Sequence, residues 1–193
     1  MGVEFELKFA ATEEILNCLE NAFPGGETLK MSTTYYDTPD CGLSQQKYTL
    51  RTRLENGICV CTVKTPLAGN QRGEWEIVCN DILEAVGQLC ALGAPKDLIA
   101  LTKNGVIPTC GAKFTRQAVL IEKEDFSAEL AMDRGVLTGG SKESPLCEVE
   151  LEYKSGDMDA FCAYANSFAA TYHLTPEPLS KFRRALNLYL GEK

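Results

Sequence analysis

Charged and apolar side chains alternate with a period of two in several separate stretches of the chain, the signature of β-strands with two unlike faces. In residues 3–10, Glu4, Glu6 and Lys8 fall on one side, with Val3, Phe5, Leu7 and Phe9 on the other. Residues 146–154 repeat this, with Glu148, Glu150 and Glu152 in one row and Cys147, Val149, Leu151 and Tyr153 behind them. Residues 47–55 set Arg51, Arg53 and Glu55 against Leu50, Thr52 and Leu54. Residues 72–79 set Glu74 and Glu76 against Trp75 and Ile77. Further strands are predicted over 29–36, 58–65, 113–124 and 126–133, the last parted from residues 136–138 by Arg134-Gly135. Asn56-Gly57 is a strong tight-hairpin signal between two of them.

A helical period appears elsewhere. Thr12 to Ala22 reads as a helix with Thr12 as N-cap, Glu13 and Glu14 in its first turn, and Ile15, Leu19 and Phe23 on one stripe. Pro24-Gly25-Gly26 ends it. Residues 81–104 are helical with a break at Gly93-Ala94-Pro95, and 157–172 and 178–190 are helices, the last with Phe182, Leu186 and Tyr189 as its apolar stripe. Gly42 to Gln46 is read as irregular, and Ala68-Gly69-Asn70-Gln71 as a polar loop. The fold class is therefore α+β: about eight strands with antiparallel hairpin connections and helices inserted between them. Charge on one face of nearly every strand suits a closed barrel with a polar interior better than a sandwich.

Composition narrows the partners. The 193 residues fit one domain and carry a net charge of −8, which argues against nucleic acid or an anionic membrane. A local basic pocket is compatible with that total. No apolar run is long enough to span a bilayer. Met1-Gly2-Val3-Glu4 runs directly into a strand pattern, so no leader is expected. The 9 cysteines are odd in number and form no CxxC pair, as expected of reduced thiols in a cytoplasmic protein. With His173 the single histidine, a nucleophile–histidine relay has little to build on.

Rows of like charge repel, so their convergence calls for a counter-ion. The acids are Glu4, Glu6, Glu74, Glu76, Asp133, Glu148, Glu150 and Glu152; the bases are Lys8, Arg51, Arg53, Lys64, Arg72, Arg116, Lys181 and Arg184. Each taken alone fits the solvated face of an antiparallel sheet. Together, carboxylates for a hard cation and guanidinium groups for phosphate oxygens suit a metal-bound polyphosphate. No P-loop or GxGxxG is present, so side chains would hold the anion.

The stretch Glu4-Phe5-Glu6-Leu7-Lys8 resembles the ExExK motif of the CYTH superfamily, the triphosphate tunnel metalloenzymes. Tyr36-Asp37-Thr38-Pro39 is similar to the family's turn, Arg51-Thr52-Arg53 to its RxR strand, Thr62-Val63-Lys64 to its lysine strand, and Arg72-Gly73-Glu74-Trp75-Glu76 to its RxExE strand. Arg116, Asp133-Arg134-Gly135, Glu148-Val149-Glu150-Leu151-Glu152 and Ser180 to Leu186 follow in the family's order. The resemblance is nearest to the catalytic domain of bacterial inorganic triphosphatases. Some of these carry a further histidine-rich helical domain, which the 193 residues do not include.

The resemblance implies an eight-stranded tunnel barrel with helices outside, and metal-dependent hydrolysis of tripolyphosphate to pyrophosphate and phosphate. It implies Mg²⁺ or Mn²⁺ on Glu4, Glu6, Asp133, Glu148 and Glu150. Lys8, Arg51, Arg53, Lys64, Arg72, Arg116, Lys181 and Arg184 would bind substrate, and Glu4, Glu6, Lys8 and Lys64 would take part in catalysis. Glu74, Glu76 and Glu152 would lie nearer a tunnel mouth or support the metal-binding carboxylates from behind. A thiamine triphosphatase, an adenylate cyclase, or a non-catalytic polyphosphate- or nucleotide-binding module are the alternatives. A thiamine enzyme would need an aromatic platform, for which Trp75 and Tyr35 are the candidates.

Overall fold

The computed structural model describes residues 5–66 and 72–191. Glu4 and the loop expected around Ala68 lie outside the described residues. Eight strands and a two-residue ninth form one antiparallel sheet. They are β1 (Glu6–Ala10), β2 (Glu27–Asp37), β3 (Thr49–Glu55), β4 (Ile58–Pro66), β5 (Arg72–Val78), β6 (Ile107–Glu122), β7 (Phe126–Gly139), β8 (Lys142–Gly156) and β9 (Thr175–Pro176). Their order is β5-β4-β3-β2-β6-β7-β8-β1-β9, with β5 and β9 at the edges. The antiparallel tunnel architecture is thus present, but among the described residues the ladder does not close.

Local chemistry accounts for the elements. Asn56 and Gly57 both take positive φ, 48° and 92°, which the β3–β4 turn requires and this pair tolerates. Helix α1 (Glu13–Ala22) is capped as expected, the Thr12 hydroxyl accepting from Ile15 N at 3.3 Å. Its buried residues are Leu16 and Leu19. The stretch after Asp37 is ordered rather than irregular, because α2 (Gly42–Gln45) is tied down by a buried carboxylate. Asp37 accepts from the N–H groups of Thr38 (2.8 Å), Leu43 (2.9 Å) and Ser44 (3.2 Å). The Tyr-Asp-Thr-Pro turn is thus a structural brace ahead of β3. β7 runs unbroken through Arg134-Gly135. Gly135 is no breaker: a Cβ there would strike the carbonyl of Lys113 and the Cβ of Phe114 on β6.

Apolar faces pack in three places. On the convex side, α1 and α5 (Met158–Thr171) cover β6, β7, β8 and β1 through Leu16, Leu19, Leu130, Val149, Leu151 and Phe161. Helices α3 (Ile82–Ala91) and α4 (Asp97–Thr102) cover β3 to β5 through Leu50, Val63, Trp75, Leu89 and Leu98. The third cluster corrects the expectation that all helices lie outside. Helix α6 (Lys181–Leu190) packs Ala185 and Leu186 on the concave face, against Tyr35, Phe114, Leu137 and Leu146. Its apolar stripe met apolar positions on the inner rows of β2, β6, β7 and β8, a match that periodicity cannot assign to one side of a sheet. Among the described residues no helix is long and apolar enough to cross a membrane, and the cysteines are unpaired.

Candidate active site

Strand register gathers the charges. Asp133 on β7 lies opposite Glu148 on β8 and Arg116 on β6. Glu150 lies opposite Lys8, and Glu152 opposite Glu6. Because inward positions recur every second residue, these side chains share the concave face. On the other wing, Thr49 and Lys64 are opposite one another, as are Lys64 and Glu74.

Asp133 and Glu148 are fully buried, and Glu150 nearly so. Carboxylate oxygens of the three lie within 4.8 Å of one another, close enough to share a metal ion. Three cations balance them. Arg116 grips Asp133 with two hydrogen bonds, at 2.8 and 2.7 Å, and also reaches Glu150. The Lys181 ammonium bonds Glu150 at 2.6 Å, Asp133 at 2.8 Å, and Glu148. Arg184 bonds Glu148 and lies 3.5 Å from Glu177. The cluster is therefore an internally neutral network, with Lys181 at the meeting point of the three acids.

Electrostatics follow from this contact map. Burial pushes Glu148 up to about 7, against the pull of Lys181. Burial acts likewise on Glu150, but Lys181 and Arg116 overcome it and hold its carboxyl well below the usual range. Burial disfavours the charged forms of Lys181 and Arg116, yet the surrounding carboxylates raise both. Glu6 is raised by burial and by Glu150, with Lys8 pulling the other way.

In front of this network opens a cavity of about 130 Å³. Seven of its lining residues are Lys or Arg (Lys8, Arg51, Arg53, Lys64, Arg72, Arg116, Lys181), against Glu6, Glu150 and Glu152, an excess of four positive charges. A chain of net charge −8 thus turns a cationic surface inward. Arg51 lies 3.5 Å and Lys64 2.9 Å from Glu74, and Arg53 lies 3.3 Å from Glu55. The Nε atoms of Arg51 and Arg53 are buried without a hydrogen-bond partner among the described residues. Such donors are costly to leave unmade and suit an arriving anion.

The expected residues thus divide by depth. Glu6, Lys8, Arg51, Arg53, Lys64, Arg72, Arg116, Glu150 and Lys181 border the cavity, with Glu152. Asp133, Glu148 and Arg184 stand behind it, and Glu76 is exposed. Glu6 pairs with Lys8 at 3.6 Å, apart from the three clustered acids. Tyr35, Thr49, Phe114, Ser180 and Phe182 also line the cavity. The signal for Thr49 and Phe114 was in the alternation, since each lies two residues before an inward arginine. Trp75 is buried on the convex side among Val63, Leu89 and their neighbours, so it offers no platform to a ligand in the cavity.

The donor set fits a divalent cation: clustered carboxylates are the hard oxygen ligands such ions take. The same oxygens already hold Lys181, so a cation and that ammonium compete for them.

The described strands thus form an open antiparallel sheet with acids and bases gathered on its concave face. The chain belongs to the CYTH domain family, whose model matches residues 2–186. It is 31% identical over 137 residues to the inorganic triphosphatase of Haemophilus influenzae. That match takes in 68% of this chain and 38% of the Haemophilus protein, so the chain spans about two fifths of its relative's length. Two solved structures share the fold. A candidate adenylate cyclase from Bacillus halodurans superposes with a TM-score of 0.62 at 18% identity, over 93% of this chain and 96% of that one. A candidate adenylyl cyclase from Hippeastrum, described as having a dominant triphosphatase activity, gives 0.61 at 16% identity, over 100% and 97%.

Proposed function

We propose that this chain is a cation-dependent hydrolase of inorganic triphosphate, releasing pyrophosphate and phosphate. The observation that carries the reading is the cavity itself, lined by an excess of four positive charges, with arginine Nε donors that find no partner among the described residues and with buried carboxylates behind it. The likeness to the Haemophilus triphosphatase supports it. A divalent ion held by Asp133, Glu148 and Glu150, with Glu4, would neutralise phosphate oxygens and sharpen the electrophile, leaving Glu6, which stands apart beside Lys8, to the water.

The side chains supply the rest. Arg51, Arg53, Arg72 and Lys64 hold the anion along one wall, and Lys8, Arg116 and Lys181 along the other, with Arg184 behind. Orientation and charge neutralisation are the main sources of rate in phosphoryl transfer. Glu6 borders the cavity with its pKa raised by burial, which suits it to hold and deprotonate the attacking water. Water adds to a terminal phosphorus, the P–O bond to the bridging oxygen breaks, and pyrophosphate leaves between Lys8 and Lys64. The same reading makes residues 1–193 one CYTH domain of a cytoplasmic enzyme, with a small polyphosphate as partner rather than nucleic acid or membrane. Of the two aromatic residues expected as a thiamine platform, Trp75 faces away from the cavity and Tyr35 has its ring packed against Phe182.

Phosphate release from tripolyphosphate, thiamine triphosphate and ATP, each with Mg²⁺, Mn²⁺ or chelator, tests this beside Glu6→Gln. Metal-dependent cleavage of tripolyphosphate above the other two, lost in Glu6→Gln with the melting temperature kept, is expected. Preference for an organic triphosphate would overturn the substrate assignment, and no release from any would overturn the enzyme.

A further inference from the structure

We propose that Cys59 and Cys79 form a redox modification site, which hydrogen peroxide closes into a disulfide that pins the edge strand β5 to β4. Cys61, two residues from Cys59, is buried in the convex cluster with Val63 and Trp75, and Cys79 packs against that cluster. The pair therefore lies on the convex side of the sheet, and its chemistry is separate from that of the cavity.

Backbone geometry selects these two thiols. The β4–β5 ladder runs from Pro66 opposite Arg72 to Val60 opposite Val78. One step further, the Cys79 N–H donates to the Cys59 carbonyl at 3.1 Å, so these two residues continue the ladder face to face. Directly opposite residues on antiparallel strands have Cα atoms about 4.5–5.5 Å apart, inside the span of about 4.4–6.8 Å that a disulfide bridges. Cys61 is close as well, its thiol donating to the Cys79 carbonyl at 3.2 Å. It stands on the diagonal from Cys79, however, where about 7–8 Å separates the residues, too far to bridge without moving a strand. Among the described residues no other two cysteines face one another across a ladder.

Access and reactivity divide the three. Cys61 is fully buried, and burial pushes its thiol up to about 12, with Cys59 and Cys79 adding to the rise. It stays protonated, whereas attack requires a thiolate. Cys59 and Cys79 are partly exposed, so a small oxidant reaches them from solvent. The first thiolate attacks one peroxide oxygen and the O–O bond breaks. Hydroxide leaves, takes up the thiol proton as water, and a sulfenic acid remains. The second thiolate attacks that sulfur, the S–O bond breaks, and a second water leaves. Two thiols are thus oxidised by two electrons while one peroxide is reduced to two waters. A metal is a poorer fit, because among the described residues the acids Asp133, Glu148 and Glu150 alone bring three ligand atoms within 4.8 Å of one another. The bond would fasten the end of an edge strand where it leads into the Asp81 cap of α3.

The test treats reduced wild type with hydrogen peroxide, blocks the remaining thiols by alkylation and maps linkages by peptide mass spectrometry, with melting temperatures before and after. An intramolecular Cys59–Cys79 linkage is expected, two hydrogens lighter than the free thiols. The melting temperature should rise by about 5 °C or more and fall back in dithiothreitol. Cys79→Ser should abolish both effects, and Cys61→Ser should keep the linkage. Linkage through Cys61, linkage only between molecules, or sulfinic and sulfonic acids without linkage would each overturn the assignment. Linkage with an unchanged melting temperature would overturn the pinning of β5. The wild-type map decides between these outcomes even where a serine variant fails to fold.

Discussion

Lys181→Met removes the ammonium from the centre of three buried carboxylates and keeps most of the side chain's length. Two of those acids, Asp133 and Glu148, have no solvent exposure, and the Lys181 side chain itself is 10% exposed. Arg116 and Arg184 remain, so the cluster is left with one uncompensated negative charge. Taking one partner out of a buried ion network costs about 3–5 kcal/mol, because the survivor can neither pair nor hydrate. For a chain of this length that corresponds to a fall in melting temperature of roughly 10 °C. The loss should shrink in mild acid, as one carboxylate takes up a proton. It should also shrink with Mg²⁺ or Mn²⁺, which would enter the vacated position. Differential scanning calorimetry in chelator, then with each cation, reads all three effects. A variant melting within about 2 °C of the parent in chelator would refute the account of Lys181 as the cluster's counter-ion. Equal stabilisation of parent and variant by the cation would refute competition between ammonium and metal for the same oxygens.

Two further outcomes follow from the same geometry. Arg53→Ala should raise KM for tripolyphosphate tenfold or more with a smaller change in kcat, since its buried side chain faces the cavity; an unchanged KM would remove it from the substrate wall. Glu148 is raised from 4.5 to about 7, so the folded chain holds its proton more tightly than the unfolded chain. Its contribution to stability is present in full below the unfolded value and is lost as pH rises through 7, an effect on the order of 3 kcal/mol. Glu148→Gln should flatten the melting curve over that pH window, and an unaltered slope would contradict the raised value.

What the sequence revealed, and what it did not, separates by physical range. The strand rows were readable because the inward and outward sets differ in charge at every second residue, and the β3–β4 hairpin because Asn-Gly suits positive φ. The partnership of Asp133 with Glu148 and Arg116 depends on register between strands, which no single strand encodes; the resemblance grouped Asp133 with Glu148 as metal ligands and set Arg116 apart as a substrate binder. Gly135 was read as a break because a missing side chain looks the same whether the chain turns there or a neighbour crowds it. The concave seat of α6 was not readable either, since Leu186 and Ala185 say that a face is buried but not by what.

The two convex clusters share no residue. One supports the strands that carry the carboxylates, the other those that carry Arg51, Arg53 and Lys64. Between them lie the middle stretches of β2 and β6, where Lys30, Lys113 and Thr115 are exposed to solvent on the convex side. The sheet is therefore built as a two-leaved book whose spine is backed at that level by helix α6 on the concave side. The open edge leaves the leaves free to adjust their spacing, so an anion that touches both is also the clasp that sets how far apart they stand.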